Sequence, residues 1–324
     1  MKKFLLAMMV LGSMLVAQGQ QNDVWTATLQ HGNELTVFKM ANALVEAHNA
    51  AVDGDIITLS EGTFNSLTIS KSITIYGAGF ENDDVTGTRV SLINGRIYCI
   101  DTLSNVHIEG CKTGDIYVNP NSGNVFVESL CIRNCCVNGS VTFGRNFGDA
   151  ELFSNVITGS VSGGNVTFTS LRVNNCYIGG AVNGFPALSP VVVDHSIMNG
   201  YTNGAYYYTN DIFSRWDDRV LAAESNVTNC IISWPNVIYN VHYVDCYTGI
   251  GDTSIFSDGG GYYSADRTFE IQQPDVWIGT DGTQIGLHGG QGWSKVPRIP
   301  VIKSLDLNVE GSQLKLNFEA EVRE

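Results

Sequence analysis

The chain has 324 residues, with 35 glycines against only 7 prolines, and a formal net charge of −14. A negative field of this size repels phosphate backbones, so nucleic acid is a poor candidate partner. The remaining composition, rich in Val, Ile, Thr and Asn, suits many short strands joined by tight turns.

The first predicted element is a signal peptide over residues 1–19. The basic pair Lys2-Lys3 precedes an uncharged apolar stretch, residues 4–16, and AQG at residues 17–19 supplies small residues at a cleavage site. We therefore expect a protein that is secreted or lies at the cell surface. The apolar stretch is shorter than the roughly 20 residues of a membrane span. No cysteine precedes Cys99, so a lipoprotein signal is not expected.

Residues 20–53 are predicted to form a β-hairpin and a capping helix. Alternation over residues 24–38 (VWTATLQHGNELTVF) indicates two strands with His31-Gly32-Asn33 at the turn. A helix follows and ends at Gly54. An open solenoid end exposes unpaired strand edges, so we expect this helix to cover that end. Its apolar stripe consists of Met40, Ala43, Leu44, Ala47 and Ala51.

A repeat of about twenty residues predicts a parallel β-helix over residues 54–296. Similar segments begin at Ile132 (IRNCCVNGSV), Phe153 (FSNVITGSV), Val173 (VNNCYIGGAV) and Val193 (VDHSIMNGYT). One coil of three short strands and three turns needs about this length, and stacked coils pair their strands about 4.8 Å apart. The aligned polar residues are Asn134, Asn155, Asn175, His195, Asn229 and Asp245.

This polar row is predicted to occupy one tight bend of each coil. Asn tolerates a left-handed backbone, and its amide can bond the Asn of the next coil. Small, mostly apolar residues follow the row and indicate interior packing: Cys135, Val156, Cys176, Ser196, Cys230 and Cys246. Eight cysteines in an exported protein ordinarily suggest disulfides. Five of the eight share one phase, so free buried thiols are the preferred interpretation, with at least one disulfide as the alternative. These five are Cys111, Cys135, Cys176, Cys230 and Cys246.

Two parts of the chain carry a family resemblance. AAVDGDIITLSEGTFNSLTISKSITIYGAG, residues 50–79, resembles the first coils of the pectate-lyase-like right-handed β-helix superfamily. DVWIGTDGTQIGLHGGQGW and VPRIPVIKSLDLNVEGSQLKLNFEAEV resemble the closing segment of secreted β-helix proteins of gut Bacteroidetes, some of them described as adhesins. The resemblance implies an all-β, right-handed parallel β-helix with a short C-terminal β-hairpin in residues 297–324, and it implies little about function.

Enzymes of that superfamily cleave acidic polysaccharides, so a divergent polysaccharide lyase or glycoside hydrolase is the alternative function. The chain contains Asp217-Asp218 and His288-Gly289-Gly290, but no Asn-Thr-Asp and no Gly-His-Gly. Val192-Val193-Asp194-His195 is similar to the Val-Trp-Ile-Asp-His stretch of one pectate lyase family, with Val in place of Trp. A paired acid and base must face one cleft. Asp217 and Asp218 are neighbours, and neighbouring residues of a strand face opposite sides, so this pair is not expected to act as acid and base. No catalytic residue is predicted.

Two acidic turns, residues 81–84 and 252–258, are candidate Ca²⁺ sites. Neither has the ligand spacing of an EF-hand loop, and acidic turns are usually solvated. No cofactor or metal is therefore predicted.

The spacing of the polar row jumps between His195 and Asn229, and residues 201–219 are predicted to form a surface loop. Solenoid insertions gather on one face, often the binding face, and aromatic planes beside charged groups stack on sugars. A loop packed on itself is the alternative. The candidate ligand-binding residues are Tyr206, Tyr207, Tyr208, Phe213, Arg215, Trp216, Asp217 and Asp218. The sequence thus predicts a non-catalytic adhesin or glycan-binding protein, whose partner is an extracellular glycan or a host or cell-surface protein.

Overall fold

The chain folds as an all-β parallel β-solenoid of about eight turns, consistent with a right-handed β-helix. The computed structural model describes residues 24–118, 126–144, 146–164, 166–186, 189–200, 204, 206–214, 221–234, 240–298, 300–310 and 313–322. Within these ranges the helices are α1 (Ala43–Ala50) and α2 (Asp252–Ile255). The predicted signal peptide lies outside the described residues.

Two long sheets and one hairpin contain the strands, numbered here in chain order. Sheet A comprises β1 (Thr26–His31), β2 (Glu34–Lys39), β3 (Ile56–Leu59), β5 (Thr74–Tyr76), β7 (Val106–Glu109), β10 (Val127–Arg133), β13 (Phe147–Phe153), β16 (Ser170–Asn174), β19 (Val191–Asp194), β21 (Tyr207–Thr209), β23 (Asn226–Thr228) and β25 (His242–Val244). Sheet B comprises β4 (Gly62–Ile69), β6 (Ser91–Cys99), β8 (Lys112–Thr113), β9 (Ile116–Val118), β11 (Cys136–Val137), β12 (Val141–Phe143), β14 (Val156–Ile157), β15 (Val161–Gly163), β17 (Tyr177–Ile178), β18 (Val182–Asn183), β20 (Ile197–Met198), β22 (Ile212–Phe213), β24 (Ile231–Ile232) and β26 (Tyr247–Thr248). The antiparallel hairpin consists of β27 (Pro300–Glu310) and β28 (Gln313–Val322), where the sequence predicts it.

The interior of the solenoid is built from aliphatic side chains in register from coil to coil. Ile108, Ile132, Leu152, Val173 and Val193 are Cα partners on successive strands of sheet A, and each is fully buried. Because strand side chains alternate between faces, the residues on either side of this row point outward. Sheet A therefore has an apolar inner face that forms the core and an outer face made by the alternate residues.

Sheet B bends where β6 pairs with two strands of the next coil, β8 and β9. It therefore divides into one ladder from β8 to β26 and another from β9 to β18. Glycines stack at this bend: the N–H of Gly114 donates to the carbonyl of Gly95, and that of Gly159 to the carbonyl of Gly139, each at 2.8 Å. A Cβ on Gly114 would lie 2.3 Å from the Gly95 oxygen, so the bend requires glycine there.

The predicted polar bend is present, with one register error and one omission. All members of this row, which we call the left-handed row, have φ between 47° and 58°: Asn134, Ser154, Asn175, His195, Asn210, Asn229 and Asp245. The placement of Asn155 in the row was wrong by one residue, because Arg133 pairs with Phe153 and so puts Ser154 beside Asn134. Asn210 belongs to a coil that the repeat alignment did not detect.

Asn155 belongs instead to the next row, which is interior as predicted and contains polar side chains besides its cysteines. Its fully buried members are Cys111, Cys135, Asn155, Cys176, Ser196, Asp211 and Cys230. The backbone N–H of each donates to the side chain of the row residue in the next coil, as from Cys135 to Asn155 Oδ1 (2.9 Å), Cys176 to Ser196 Oγ (3.1 Å) and Ser196 to Asp211 Oδ1 (2.6 Å). All eight cysteines of the chain are free thiols in this structure.

The N-terminal end is covered by the β1–β2 hairpin and by α1, which contacts β1, β2 and β4. Ala43, Leu44 and Ala47 are fully buried on one face of the helix, as predicted. Met40 is not part of this stripe: it is 50% exposed. It lies before the helix begins, with φ of 71°, so the helical period does not apply to it.

Beyond β26 the chain turns back, so the coils end well before residue 296. Residues 276–298, which we call the return segment, run along the left-handed row from the last coils towards the first. Side chains of the row donate to its carbonyl oxygens in order: Asn229 to Ile278 (2.7 Å), Asn175 to Leu287 (2.8 Å) and Asn134 to Ser294 (2.6 Å). The amides thus mainly fasten the return segment, instead of bonding one another between coils.

A second hydrophobic cluster forms where residues 250–293 cover the outer side of the β8–β26 ladder. The outward residues of that ladder are apolar, and the covering chain supplies aromatic and aliphatic partners. The buried members are Phe80, Cys136, Val156, Tyr177, Ile197, Ile212, Ile231, Ile255, Phe256, Phe269, Ile271, Trp277, Ile285 and Leu287. Among the described strands of the coils, the outer face of the β9–β18 ladder and most of the outer face of sheet A stay open. The return segment covers Glu109 and Phe153 on sheet A.

Candidate binding surface

Part of the predicted 201–219 loop is a regular coil. In this coil β21 pairs with β19 and β23, and β22 pairs with β20 and β24. The coil is short: Ser196 and Asp211 of the interior row are 15 residues apart, and Asp211 and Cys230 are 19 apart. The sequence gap was therefore one unrecognised coil rather than one insertion. Burial raises the pKa of the Asp211 carboxyl well above its usual range.

The aromatic residues of this coil face mainly inward. Tyr206, Tyr208 and Phe213 are at most 1% exposed, and Tyr208 lies edge-on to Phe213 at 5.3 Å between ring centroids. The Tyr206 hydroxyl accepts from the Phe185 N–H (3.0 Å) and donates to the Phe185 carbonyl (3.2 Å). These three rings are core residues with no face open to a ligand.

Tyr207 is the described candidate that reaches solvent, with 43% exposure. It lies on the outer face of sheet A between Val192 and Asn226, its partners on the neighbouring strands. Arg172, beyond Val192 in the same row, is exposed. Arg215, Trp216, Asp217 and Asp218 lie outside the described residues.

A second aromatic surface, on the outer face of sheet B, was not predicted. Tyr98 and Tyr117 are Cα partners on β6 and β9, and their rings stack with centroids 5.5 Å apart and planes at 18°. Arg96 lies over the Tyr117 ring at 5.5 Å. Its Nε donates to Asp115 Oδ2 at 3.0 Å. The guanidinium is half exposed and the carboxylate is about a quarter exposed, so both are accessible.

The local sequence explains this pairing. Gly95-Arg96-Ile97-Tyr98-Cys99 and Gly114-Asp115-Ile116-Tyr117-Val118 share one pattern, in which the apolar residues on either side of each tyrosine are fully buried. Alternation then turns both tyrosines outward. Reading these two segments as consecutive coils would have predicted the pair. The signal was missed because the twenty-residue repeat was aligned only on the polar bend.

The tyrosine pair continues into a row of short polar side chains. In register after Tyr117 come Thr142, Ser162 and Asn183 on β12, β15 and β18, and the Thr142 and Ser162 hydroxyls lie 3.2 Å apart. We call these five residues the tyrosine–hydroxyl row. The side chains of Thr142, Ser162 and Asn183 are short and form a low polar surface, which we call the shelf. The larger Tyr117 ring lies at one end of it.

The acidic turns considered for Ca²⁺ are used by their own loops. Asp83 accepts hydrogen bonds from the Val85 N–H and from Thr86, and Asp258 accepts from Thr268 and Phe269. Among the described residues, no cluster of three or more His, Cys, Asp or Glu side chains has metal-binding geometry.

His195 lies in the stretch that is similar to a lyase motif, residues 192–195, and its side chain contacts the return segment. Only 2% of the side chain is exposed, and its Nδ1 lies 2.9 Å from Asp194 Oδ1. Its Nε2 lies 3.2 Å from Thr283 Oγ1 and 3.5 Å from Asp281 Oδ2. A ring enclosed in this way contacts the return segment and has no route to a polysaccharide.

No protein-family model, curated protein or solved structure matches this chain. The coil architecture supports the parallel β-solenoid, whereas the resemblances to the pectate-lyase-like superfamily and to Bacteroidetes adhesins receive no support from these comparisons. In the part of the chain that the structure describes, every helix is too short or too polar to span a membrane.

Proposed function

We propose that this chain is a non-catalytic extracellular protein of the pectate-lyase-like β-helix type that binds glycans, as an adhesin or another surface protein. The signal-peptide pattern of residues 1–19 supports export. The main support for glycan binding is the stacked pair Tyr98 and Tyr117 beside the Arg96–Asp115 ion pair. This pair lies at the end of an accessible row of hydroxyl groups.

The chemistry of this surface suits a sugar chain. The apolar face of a pyranose ring packs on an aromatic ring, while its hydroxyls bond carboxylate, guanidinium, hydroxyl and amide groups. A sugar on the shelf would contact the Tyr117 ring and the hydroxyls of Thr142 and Ser162. Strands about 4.8 Å apart repeat these groups at a spacing close to the length of one sugar unit.

The charge of the protein selects among glycans. Without Lys2 and Lys3 the chain has 16 basic and 32 acidic residues, a formal charge of −16. This charge repels sulfated and uronate-rich chains over the Debye length. We therefore propose neutral glycans as the ligand class.

A glycan array on the wild type and on Tyr117→Ala tests the proposal. Loss of one stacked ring is expected to cost about 1–2 kcal/mol of binding, or roughly 5- to 30-fold in affinity for the neutral glycan that the wild type selects. Tyr207→Ala is the matched control, because it removes an exposed tyrosine from sheet A. Thermal unfolding of each variant checks that both remain folded.

The outcomes separate the two surfaces. Unchanged affinity in a folded Tyr98→Ala, Tyr117→Ala double variant would contradict the proposed surface. Loss of binding in Tyr207→Ala or Trp216→Ala would place the site within residues 201–219. Release of shortened products from pectin or glycosaminoglycans, with or without Ca²⁺, would contradict the non-catalytic assignment and favour a lyase or hydrolase.

A further inference from the structure

Two pairs of cysteines occupy equivalent positions in neighbouring coils. β23 pairs with β25 and β24 with β26, so Cys230 and Cys246, which lie between these strands, share one position in the last two coils. Cys111 and Cys135 are related in the same way by the pairing of β7 with β10 and of β8 with β11. Neighbouring strands lie about 4.8 Å apart, within the Cα separations of roughly 4.4–6.8 Å that a disulfide bridges. The surroundings of each pair therefore decide whether it reacts.

The thiols of Cys230 and Cys246 already interact. Hydrogen bonds from the Cys230 thiol and from its backbone N–H outweigh the effect of burial and lower the pKa of Cys246 to about 7. Cys246 Sγ also lies 3.3 Å from the carbonyl oxygens of Val227 and Val244, which favour the neutral thiol. Thiol and thiolate are therefore both present near neutral pH, and exchange needs only the thiolate fraction.

Cys246 lies at the open end of the solenoid. β25 and β26 are the last strands of their sheets, so no described strand pairs with them on the far side. Cys246 is only partly buried, and Val244 beside it is 50% exposed. Cys230, one coil further in, is fully buried, and burial raises its pKa well above the usual range. A reagent from solvent thus reaches Cys246 first, with Cys230 behind it.

The Cys111–Cys135 pair is a comparison with the same stacking. Both residues are fully buried inside the stack. Burial raises the pKa of Cys111 to about 12 and that of Cys135 well above its usual range, so neither thiol is reactive in the folded protein. Cys131 differs in another way. It is partly buried, but its Cα partners are His107 and Glu151, so no thiol faces it from a neighbouring strand.

We propose that Cys246 and Cys230 form a dithiol site that is oxidised by low-molecular-weight disulfides, with Cys246 as the attacking and Cys230 as the resolving thiol. The Cys246 thiolate attacks one sulfur of R–S–S–R, whose S–S bond breaks, and Cys246–S–S–R and RS⁻ form. Cys230 loses its proton to this RS⁻ and attacks the Cys246 sulfur. The second RS⁻ leaves and takes up the proton that Cys246 had lost. Two protein thiols are thus oxidised to one disulfide, and R–S–S–R is reduced to two RSH.

The bond would join the last coil to the coil before it. A coil with a neighbour on one side opens more readily than one inside the stack, and a disulfide opposes such opening by constraining the unfolded chain. The site contains no residue of the tyrosine–hydroxyl row, so it is independent of the proposed glycan binding.

The test uses the reduced full-length protein and glutathione disulfide. Peptide mass mapping after a short exposure is expected to show Cys230 linked to Cys246, and the intact mass should fall by that of two hydrogen atoms. A link between Cys111 and Cys135 should form at least about tenfold more slowly in the folded protein, because both thiols are enclosed and protonated.

Variants separate the attacking thiol from the resolving thiol. Cys230→Ser should retain one glutathione on Cys246, because the resolving thiol is gone, and Cys246→Ser should take up no glutathione at Cys230. Cys131→Ser removes the other partly buried thiol and is the matched control, which should form the Cys230–Cys246 bond at the wild-type rate.

The wild-type protein decides the proposal even where a variant fails to fold. Cys230 and Cys246 that stay reduced, a glutathione that remains on Cys246 without passing to a protein disulfide, or a Cys111–Cys135 bond that forms first would overturn it.

Discussion

Asn155 shows how a single polar residue is accommodated in the core of a solenoid. It is fully buried, yet its Oδ1 accepts from the Cys135 N–H at 2.9 Å and its Nδ2 donates to the Ile132 carbonyl at 2.7 Å. At this corner the strands are interrupted, so the backbone groups need side-chain partners. The interior row supplies these side-chain partners in one coil after another.

Replacing Asn155 tests this role. Asn155→Leu keeps a similar volume but leaves the Cys135 N–H buried without its partner and removes the bond to the Ile132 carbonyl, so we expect a loss of about 2–4 kcal/mol in the free energy of unfolding. Asn155→Ser should cost less than half as much, because Ser196 performs the same function in the row by accepting from the Cys176 N–H. Urea unfolding measures both. A smaller loss in Asn155→Leu than in Asn155→Ser would show that volume, rather than hydrogen bonding, determines stability at this site.

At the scale of elements, the return segment depends on the left-handed row. The row presents polar side chains at regular intervals, and the segment has irregular backbone whose carbonyls need donors. Asn175 Nδ2 donates to the carbonyls of both Leu287 and Gly289 at 2.8 Å. A residue chosen for its backbone conformation thus also holds a distant part of the chain.

Asn175→Gly separates these two roles. Glycine adopts the φ of 50° without strain, so the variant removes only the two hydrogen bonds. We expect a loss of about 1–2 kcal/mol and faster proteolysis within residues 276–298. Asn175→Ala should lose about 1 kcal/mol more, because alanine is strained in the left-handed region. Asn240→Gly, at an exposed position with φ of 64°, is the matched control and should change stability by less than about 0.5 kcal/mol. Wild-type stability in Asn175→Gly would refute a fastening role for the side chain.

At the scale of the whole molecule, the described coils have unequal ends. Antiparallel β1 pairs with β3 and α1 packs beside them at the N-terminal end. β25 and β26 are the last strands of their sheets, and Val244 on β25 is 50% exposed. In a stacked array each coil is stabilised by its neighbours, so a coil with one neighbour opens more readily.

Hydrogen exchange should reveal this gradient. Backbone amides of residues 242–248 are expected to exchange at least about tenfold faster than those of β10, which has coils on both sides. β3 serves as the control for the covered end and should be protected nearly as well as β10. Mass spectrometry of peptides from the three regions measures the rates. Equal protection at residues 242–248 and at β10 would mean that another part of the chain covers the last coil.

Local chemistry explains what was predictable about this protein. The coil period, the helix at Ala43–Ala50 and both hairpins depend on alternation and on the helical period within short stretches. The bend residues depend on the tolerance of Asn for a left-handed backbone. The row of Cys111, Cys135, Cys176, Cys230 and Cys246 follows from the same period. These features were visible in the sequence because each depends on residues that are close together or repeated in phase.

Tertiary structure decided the rest. Register depends on the length of every intervening turn, and these vary, so one short coil removed Tyr206, Tyr208 and Phe213 from the predicted surface and placed them in the core. The tyrosine pair exists because two coils stack in register. The Asn134–Ser294 contact joins residues 160 positions apart, and the Glu109–Arg298 contact joins residues 189 apart. No local pattern encodes such contacts, because they form only after the coils have stacked and the return segment has packed along them.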